Sequence, residues 1–235
     1  MLLCIIIVGA WILSTAITPA GAPGSDFPDI EDENIRDAFR ELYDKNPEAR
    51  DYIAAFNGVT DTPEKVDLSD DLTPGEVPLL MQWDERWGYC RYGSGLVGYT
   101  GCGPTCLSMV MLGLTGDETY NPGYVAAWAE ENGYAVPGNG TAWTLFSEGA
   151  EKLGLTPTEL PLHEETMKQE LDAGKPIILI MGPGDFTTTG HFIVITGYTE
   201  EGFTVLDPNR RSNSEKPWQY DDIKDQIKNI WSYSA

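Results

Sequence analysis

Apolar residues change their spacing three times along this chain. Met1 to Ile17 is almost continuously apolar, and no charged side chain occurs before Asp26. Beyond it, Ile35, Phe39 and Leu42, and then Ala49, Ile53 and Phe56, recur at the spacing of one helix face. Asn46-Pro47-Glu48 divides the two sets with helix-start chemistry: Asn as cap, Pro in the first position, Glu near the positive end of the peptide dipoles. Two short amphipathic helices are predicted, followed by a Thr/Asp/Pro-rich connector from Val59 to Gly75.

Farther on, Cys106 to Leu114 is apolar almost throughout, which predicts a buried helix opening just after Cys102. Helices are also predicted over Val125–Ala129, behind Asn121-Pro122-Gly123, over Thr141–Leu153, ended by Gly154, and over Met167–Leu171, ended by Ala173-Gly174-Lys175-Pro176. The β-branched runs Ile177–Ile180, Gly190–Tyr198 and Phe203–Leu206 predict strands. Helices first and strands later indicate an α+β fold.

Glu200-Glu201-Gly202 carries turn chemistry, so the last two strands should pair as an antiparallel hairpin with His191 and Asp207 near one end. The two residues are 16 positions apart, an even separation, so they share a sheet face only if the loop holds an odd number of residues. A three- or five-residue connection, or a bulge at Gly202, is therefore expected.

Cys102 stands in Gly101-Cys102-Gly103-Pro104-Thr105 at the predicted helix start, where unpartnered backbone N–H groups stabilise a thiolate. Locally it reads equally well as a structural cysteine. A nucleophilic thiol needs a base, and the base needs an orienting acceptor: His191 and Asp207 supply that chemistry. His191 precedes an apolar run, so on local pattern it is either a satisfied core group or a working one. The other histidine, His163, opens the polar stretch His163-Glu164-Glu165 and reads as a surface residue at a helix start.

In order, Gln82-Trp83-Asp84-Glu85-Arg86-Trp87, Gly101-Cys102-Gly103-Pro104-Thr105, Gly190-His191 with Gly197-Tyr198, and Asp207-Pro208 resemble the C-39-like cysteine peptidases of the papain clan. The resemblance covers roughly residues 76–235. It implies a papain-like fold whose helical half, with a central nucleophile helix, packs on an antiparallel sheet. It also implies Cys102 as nucleophile, His191 as general base and then acid, Asp207 as orienting carboxylate and Gln82 as oxyanion donor. Gln82 lies 20 positions before the thiol and is carried by the pattern Gln-x-Asp-x-x-Trp. The Gly-rich loop from Gly182 to Gly190, which runs directly into His191, is expected to form one wall of the cleft.

The formal net charge of −22 argues against nucleic acid as a partner, since phosphates would be repelled. Between Asp26 and Asp71 there are 15 acidic and 5 basic residues, so nearly half of that excess precedes the peptidase-like part. Three regions follow: 1–24, a signal peptide or membrane anchor; 25–75, an acidic helical region and connector; and 76–235, the peptidase domain. The second region reads as a structural subdomain or, alternatively, a propeptide over the cleft. No Walker-type signature and no second long apolar run accompany these motifs, so a freestanding hydrolase is expected. Cys90 and Cys106 read as buried thiols, with a Cys90–Cys106 disulfide as the alternative and a zinc site using them with Cys102 and His191 as a remoter one. No cofactor and no metal are expected. The expected function is an extracellular or cell-surface cysteine peptidase or amidase acting through a thioester on peptide or peptidoglycan-peptide bonds, with membrane attachment through residues 1–20 if the segment is retained. The competing reading is a catalytically silent papain-like module that binds peptide or cell-wall polymer.

Overall fold

The computed structural model describes residues 27–138 and 140–235, so the apolar stretch assigned above to a signal peptide or anchor lies outside the described residues. The helices that matter here are α1 (Glu33–Lys45), α2 (Arg50–Ala54), α3 (Cys102–Thr115), α4 (Pro122–Glu131), α5 (Glu148–Lys152) and α6 (Glu164–Asp172). Strands β1 (Thr156–Glu159), β2 (Ile177–Met181), β3 (His191–Thr199), β4 (Gly202–Leu206) and β5 (Ile227–Ser234) form an antiparallel sheet in the order β1-β5-β2-β3-β4. This is the α+β class that the order of helices and strands predicts.

Every residue of β2 is buried because the sheet is covered on both faces, which is why the strand reads as an unbroken apolar run. Alternation still sorts its side chains. Ile178, Ile180, Phe192 and Val194 pack in a core with α3 and α4, whereas Ile177, Leu179, Ile193 and Ile195 pack with Met167 of α6 and Trp218 on the opposite face. Residues Gly103 to Leu112 of α3 are all buried, as expected of a helix that is apolar all round. Gly116 ends α3 in the left-handed region at φ 66°, a conformation that favours glycine.

Two departures from the sequence reading have physical causes. Thr141–Leu153 is not one helix: Gly140–Thr141 pairs with Ala135–Val136, Trp143–Phe146 is a 3₁₀ turn, and α5 begins only at Glu148. Tertiary contacts decide this. Thr141 Oγ1 lies 2.8 Å from the Tyr92 hydroxyl, and the Phe146 ring packs on Phe192 and Trp231 at 4.3 and 5.3 Å between centroids. β5, which enters the sheet between β1 and β2, has no counterpart in the sequence reading. Its ladder to β2 shifts register at Ile180/Met181, and Lys228 and Asn229 interrupt its apolar pattern.

The acidic region folds as two helices. The Asp32 carboxylate caps α1 by accepting from the N–H groups of Asn34 and Ile35 at 3.0 and 3.3 Å. Asn46 caps a 3₁₀ turn, Pro47–Ala49, that leads into α2; the second helix thus starts in 3₁₀ form. Ile35, Phe39, Ala49 and Ile53 are buried in a common cluster with Tyr89 and Leu96. The Tyr52 hydroxyl donates to Gly88 O at 2.8 Å and the Tyr89 hydroxyl to Tyr52 O at 2.7 Å, so polar as well as apolar groups dock the pair.

The start of α3 is packed so closely that a β-carbon on Gly103 would meet Thr141 Oγ1 at 2.5 Å and its Cβ at 2.8 Å. A β-branched side chain bonded to Tyr92 has little freedom to retreat. Gly103→Ala is expected to destabilise the fold by about 1–3 kcal/mol, the range for overpacking. The measurement is the denaturant midpoint at unchanged m-value; an unchanged midpoint would show that Thr141 yields freely.

Candidate active site

Cys102 is the first residue of α3, half-buried, with its N–H free of any backbone acceptor among the described residues. His191 is the first residue of β3, opposite Met181 at the end of β2. Asp207 directly follows β4. The β3–β4 connection is shorter than expected: Thr199 pairs with Gly202, leaving only Glu200 and Glu201 in the turn. A two-residue loop alone would set His191 and Asp207 on opposite faces. A bulge corrects the parity, but it lies at Thr196, between the pairs Ile195↔Val205 and Gly197↔Thr204, not at Gly202. Continuing the shifted register puts Asp207 opposite Ile193, on the face of His191. The two side chains meet, His191 Nε2 lying 2.7 Å from Asp207 Oδ1.

Asp207 is buried and well supplied with donors. Oδ1 also accepts from the N–H groups of Asn209 at 2.8 Å and Arg210 at 3.3 Å, and Oδ2 accepts from Asn213 Nδ2 at 2.6 Å. Burial alone would raise its carboxyl, but the charge and hydrogen bond of His191, with Asn213 and Asn209, hold it below the usual carboxylate range. Burial would likewise discharge the His191 ring; Asp207 and then the Cys102 sulfur outweigh it and raise the imidazolium well above its ordinary value. With Nε2 engaged by Asp207, Nδ1 is the nitrogen left for the thiol. Cys102 completes the set: desolvation pushes its thiol up, while the hydrogen bond and charge of His191 and the backbone of Phe192 and Gly103 bring it below the ordinary thiol value.

Gln82 is buried beside this group. Its backbone N–H donates to Pro208 O at 2.8 Å, and its side-chain Nε2 donates to Gly98 O at 3.1 Å. That bond uses one of the two protons on Nε2. Oε1 is buried without a partner. The rest of the motif builds the turn that carries Gln82: Trp87 Nε1 donates to Met81 O at 2.9 Å, and the Asp84 carboxylate binds the Arg86 backbone and guanidinium.

Gln82, Cys102 and His191 line an open cleft of about 460 Å³. The loop from Gly184 to Gly190 forms one wall, as the sequence suggests. Residues Ala38, Leu42 and Asn46 of the N-terminal region line it too. Cys90, Cys102 and Cys106 are free thiols, so the Cys90–Cys106 disulfide is not formed. The Cys90 thiol instead lies 3.4 Å from Asp61 O. The described residues hold no cluster of metal-binding side chains. His163 is exposed at the N-cap of α6, with Thr166 Oγ1 3.4 Å from its Nδ1.

The polar contacts of the site differ in how far the sequence announces them. The bond from the Asn209 N–H to Asp207 is a local Asx turn, and Asp207-Pro208-Asn209 carries its signature. Asn213, and Asn46 with its bond to Asn209 O, are brought in by tertiary folding and carry no local signal.

A helix presenting a cysteine at its first turn, packed on an antiparallel sheet with a histidine at a strand entrance, is the papain-like arrangement of cysteine peptidases. The chain belongs to the Peptidase_C39 like family, which it matches over residues 75–235. Among solved structures it is similar to a C39-like protein from Bacillus anthracis, with 19% identity and a TM-score of 0.45 over 68% of this chain and 96% of that one. It is also similar to the peptidase domain of Streptococcus ComA, a bi-functional ABC transporter of a quorum-sensing pathway, with 20% identity and a TM-score of 0.44 over 57% and 91%. Membership rests on the family match rather than on these superpositions. No curated protein matches the chain.

The three described thiols differ in a measurable way, since burial raises those of Cys90 and Cys106 while Cys102 is lowered. In native protein treated with limiting iodoacetamide at pH 6–7, Cys102 is expected to be labelled ahead of Cys90 and Cys106, by peptide mapping. Equal labelling of Cys90 would contradict this electrostatic ranking.

Proposed function

We propose that the chain is an exported cysteine peptidase or amidase that hydrolyses peptide bonds through a Cys102–His191–Asp207 triad and a thioester acyl-enzyme. The observation that carries this reading is the buried 2.7 Å bond between Asp207 and His191, coupled to a thiol whose ionisation that ring promotes, at the floor of an open cleft. The Cys102 thiolate attacks the substrate carbonyl carbon. Negative charge moves to the carbonyl oxygen, which the Cys102 N–H and the free proton of Gln82 Nε2 stabilise. His191 gives its proton to the departing amine as the tetrahedral species collapses to the thioester. Water then attacks the thioester while His191 takes one of its protons; collapse breaks the C–S bond, restores thiolate and imidazolium, and releases the carboxylic acid, which gives its proton to solvent. Asp207 keeps the ring oriented and stabilises its cationic form throughout.

The proposed substrate is a peptide or peptidoglycan peptide, met at the cell surface or outside the cell. The uncharged apolar segment 1–24 supports export, as signal peptide or anchor, and the acidic balance of the chain fits a partner other than nucleic acid. Among the described residues no helix is long and apolar enough to cross a membrane, so any attachment would fall to that segment.

Cys102→Ala is expected to abolish hydrolysis of a peptide substrate, and Gln82→Ala to lower kcat by about 10²–10³-fold, the worth of one oxyanion donor. Turnover retained by the Cys102→Ala protein would remove Cys102 as the nucleophile, and undiminished peptide binding by that variant with no turnover by wild type would replace this reading with the silent binding module.

The pH dependence follows from the directions of the two shifts. With Cys102 lowered and His191 raised, the pH range in which thiolate and imidazolium coexist is extended at both ends. Activity should fall in acid as Cys102 takes a proton and in alkali as His191 loses one. His191→Ala should move thiol alkylation up to or beyond the ordinary cysteine range, pH ~8.5, since burial then acts without the ring to oppose it. Identical alkylation profiles for wild type and this variant would remove the activated thiol from the mechanism.

A further inference from the structure

The family match begins at residue 75, so α1, α2 and the turn between them are an addition to the peptidase domain. This addition is wired to the site. Asn46 is buried, and its side chain is fully used: Oδ1 accepts from the Glu48 N–H at 3.1 Å, and Nδ2 donates to Asn209 O at 2.6 Å and Asn209 Oδ1 at 3.2 Å. The Asn209 N–H in turn donates to Asp207 Oδ1, the oxygen bonded to His191. A second line runs through Glu48. Its carboxylate accepts from the N–H groups of Arg211 and Ser212 at 2.7 and 3.2 Å and from the Ser212 hydroxyl at 2.7 Å. These residues open the helical turn Arg211–Ser214, which brings Asn213 to Asp207 Oδ2 and Ser214 Oγ to the Asp207 N–H at 2.9 Å. The Arg210 guanidinium donates to Lys45 O, closing the contact.

We propose that Asn46 and Glu48 are positioning residues that clamp the Asp207–Ser214 segment, making residues 33–54 a working part of the peptidase site instead of a cover to be removed. The proposal rests on the cysteine-peptidase reading above. Both oxygens of the orienting carboxylate are held by groups whose backbone is tied to the N-terminal region. Detaching that region would free the loop on which the imidazolium depends. Trp83 Nε1 also donates to Asn209 O, at 2.8 Å, so losing Asn46 leaves that carbonyl partnered and affects placement of the loop. The charged and titratable groups facing the relay are Asp207, Cys106 and Tyr92 around the thiol and imidazole, and Arg210 near Glu48.

The test is the rate of iodoacetamide labelling of Cys102 at pH 6 and at pH 9 in the full chain, for wild type, His191→Ala, Asn46→Ala, Glu48→Ala and the exposed control Asp44→Ala. A loosened Asp207 loop lowers the imidazolium's hold on the thiolate, and one unit of thiol pKa is tenfold in thiolate at low pH. Asn46→Ala and Glu48→Ala are therefore expected to label about tenfold more slowly at pH 6, with little change at pH 9, while Asp44→Ala matches wild type. A general loss of structure would also separate the thiol from the ring and split the two rates, so the comparison is read only for variants that melt cooperatively as wild type does. If an alanine variant does not melt cooperatively, Glu48→Gln and Ser212→Ala carry the same comparison, each removing part of one contact without opening a cavity. Rates at pH 6 within twofold of wild type for both positions, with His191→Ala slow, would overturn the clamp and leave the peptidase reading intact. A wild type no faster than His191→Ala at pH 6 would instead overturn the peptidase reading and the clamp with it.

Discussion

A carboxylate shut away from water must find its stabilisation inside the protein, and Asp207 finds it in one imidazole, two backbone N–H groups and one side-chain amide. Removing one partner of a buried charge pair typically costs about 3–5 kcal/mol, because the other is left uncompensated. The rest of the site depends on this. The carboxylate favours the charged form of the ring, and the ring favours ionisation of the sulfur at the start of α3. Burial opposes ionisation at all three groups, so each leans for its charged form on the hydrogen bonds and charges of its neighbours.

What the sequence makes legible is local: helix starts, an apolar helix behind a cysteine, β-branched strands and an Asx-type turn after Leu206. Those signals locate Cys102, His191 and Asp207 on their elements. Nonlocal decisions are hidden. β5 hides because a strand covered on both faces has no alternation to read and Lys228 and Asn229 break its apolar run. The Thr141–Leu153 segment misleads because its helical spacing is real, but packing of Thr141 and Phe146 outweighs the propensity. Asn46 and Asn213 reach the site only across the tertiary fold, and asparagine at a loop has too many ordinary uses to announce such a role.

The N-terminal region shows how an acidic segment can be ordered without neutralising its charge. Its apolar stripe, Ile35, Phe39, Ala49 and Ile53, seats the helices, and its polar tips, Asn46 and Glu48, engage backbone groups of Asn209 and Arg211. Apolar seating sets where the segment lies, and directional hydrogen bonds set the loop it touches. The same helix that buries Leu42 also faces the cleft, so this wall of the groove is made by residues outside the family match.

The extra residue at Thr196 carries a constraint on how this hairpin can change over time. Sheet faces come in two kinds only, and a position added or deleted within the paired strands exchanges them, whereas one added in the turn leaves every ladder pair as it is. Deleting the bulged residue alone would turn the carboxylate away from the ring; lengthening the Glu200–Glu201 turn would not. The closing loop is therefore free to drift in both length and composition, while the irregular step in the ladder is the part that descent must keep.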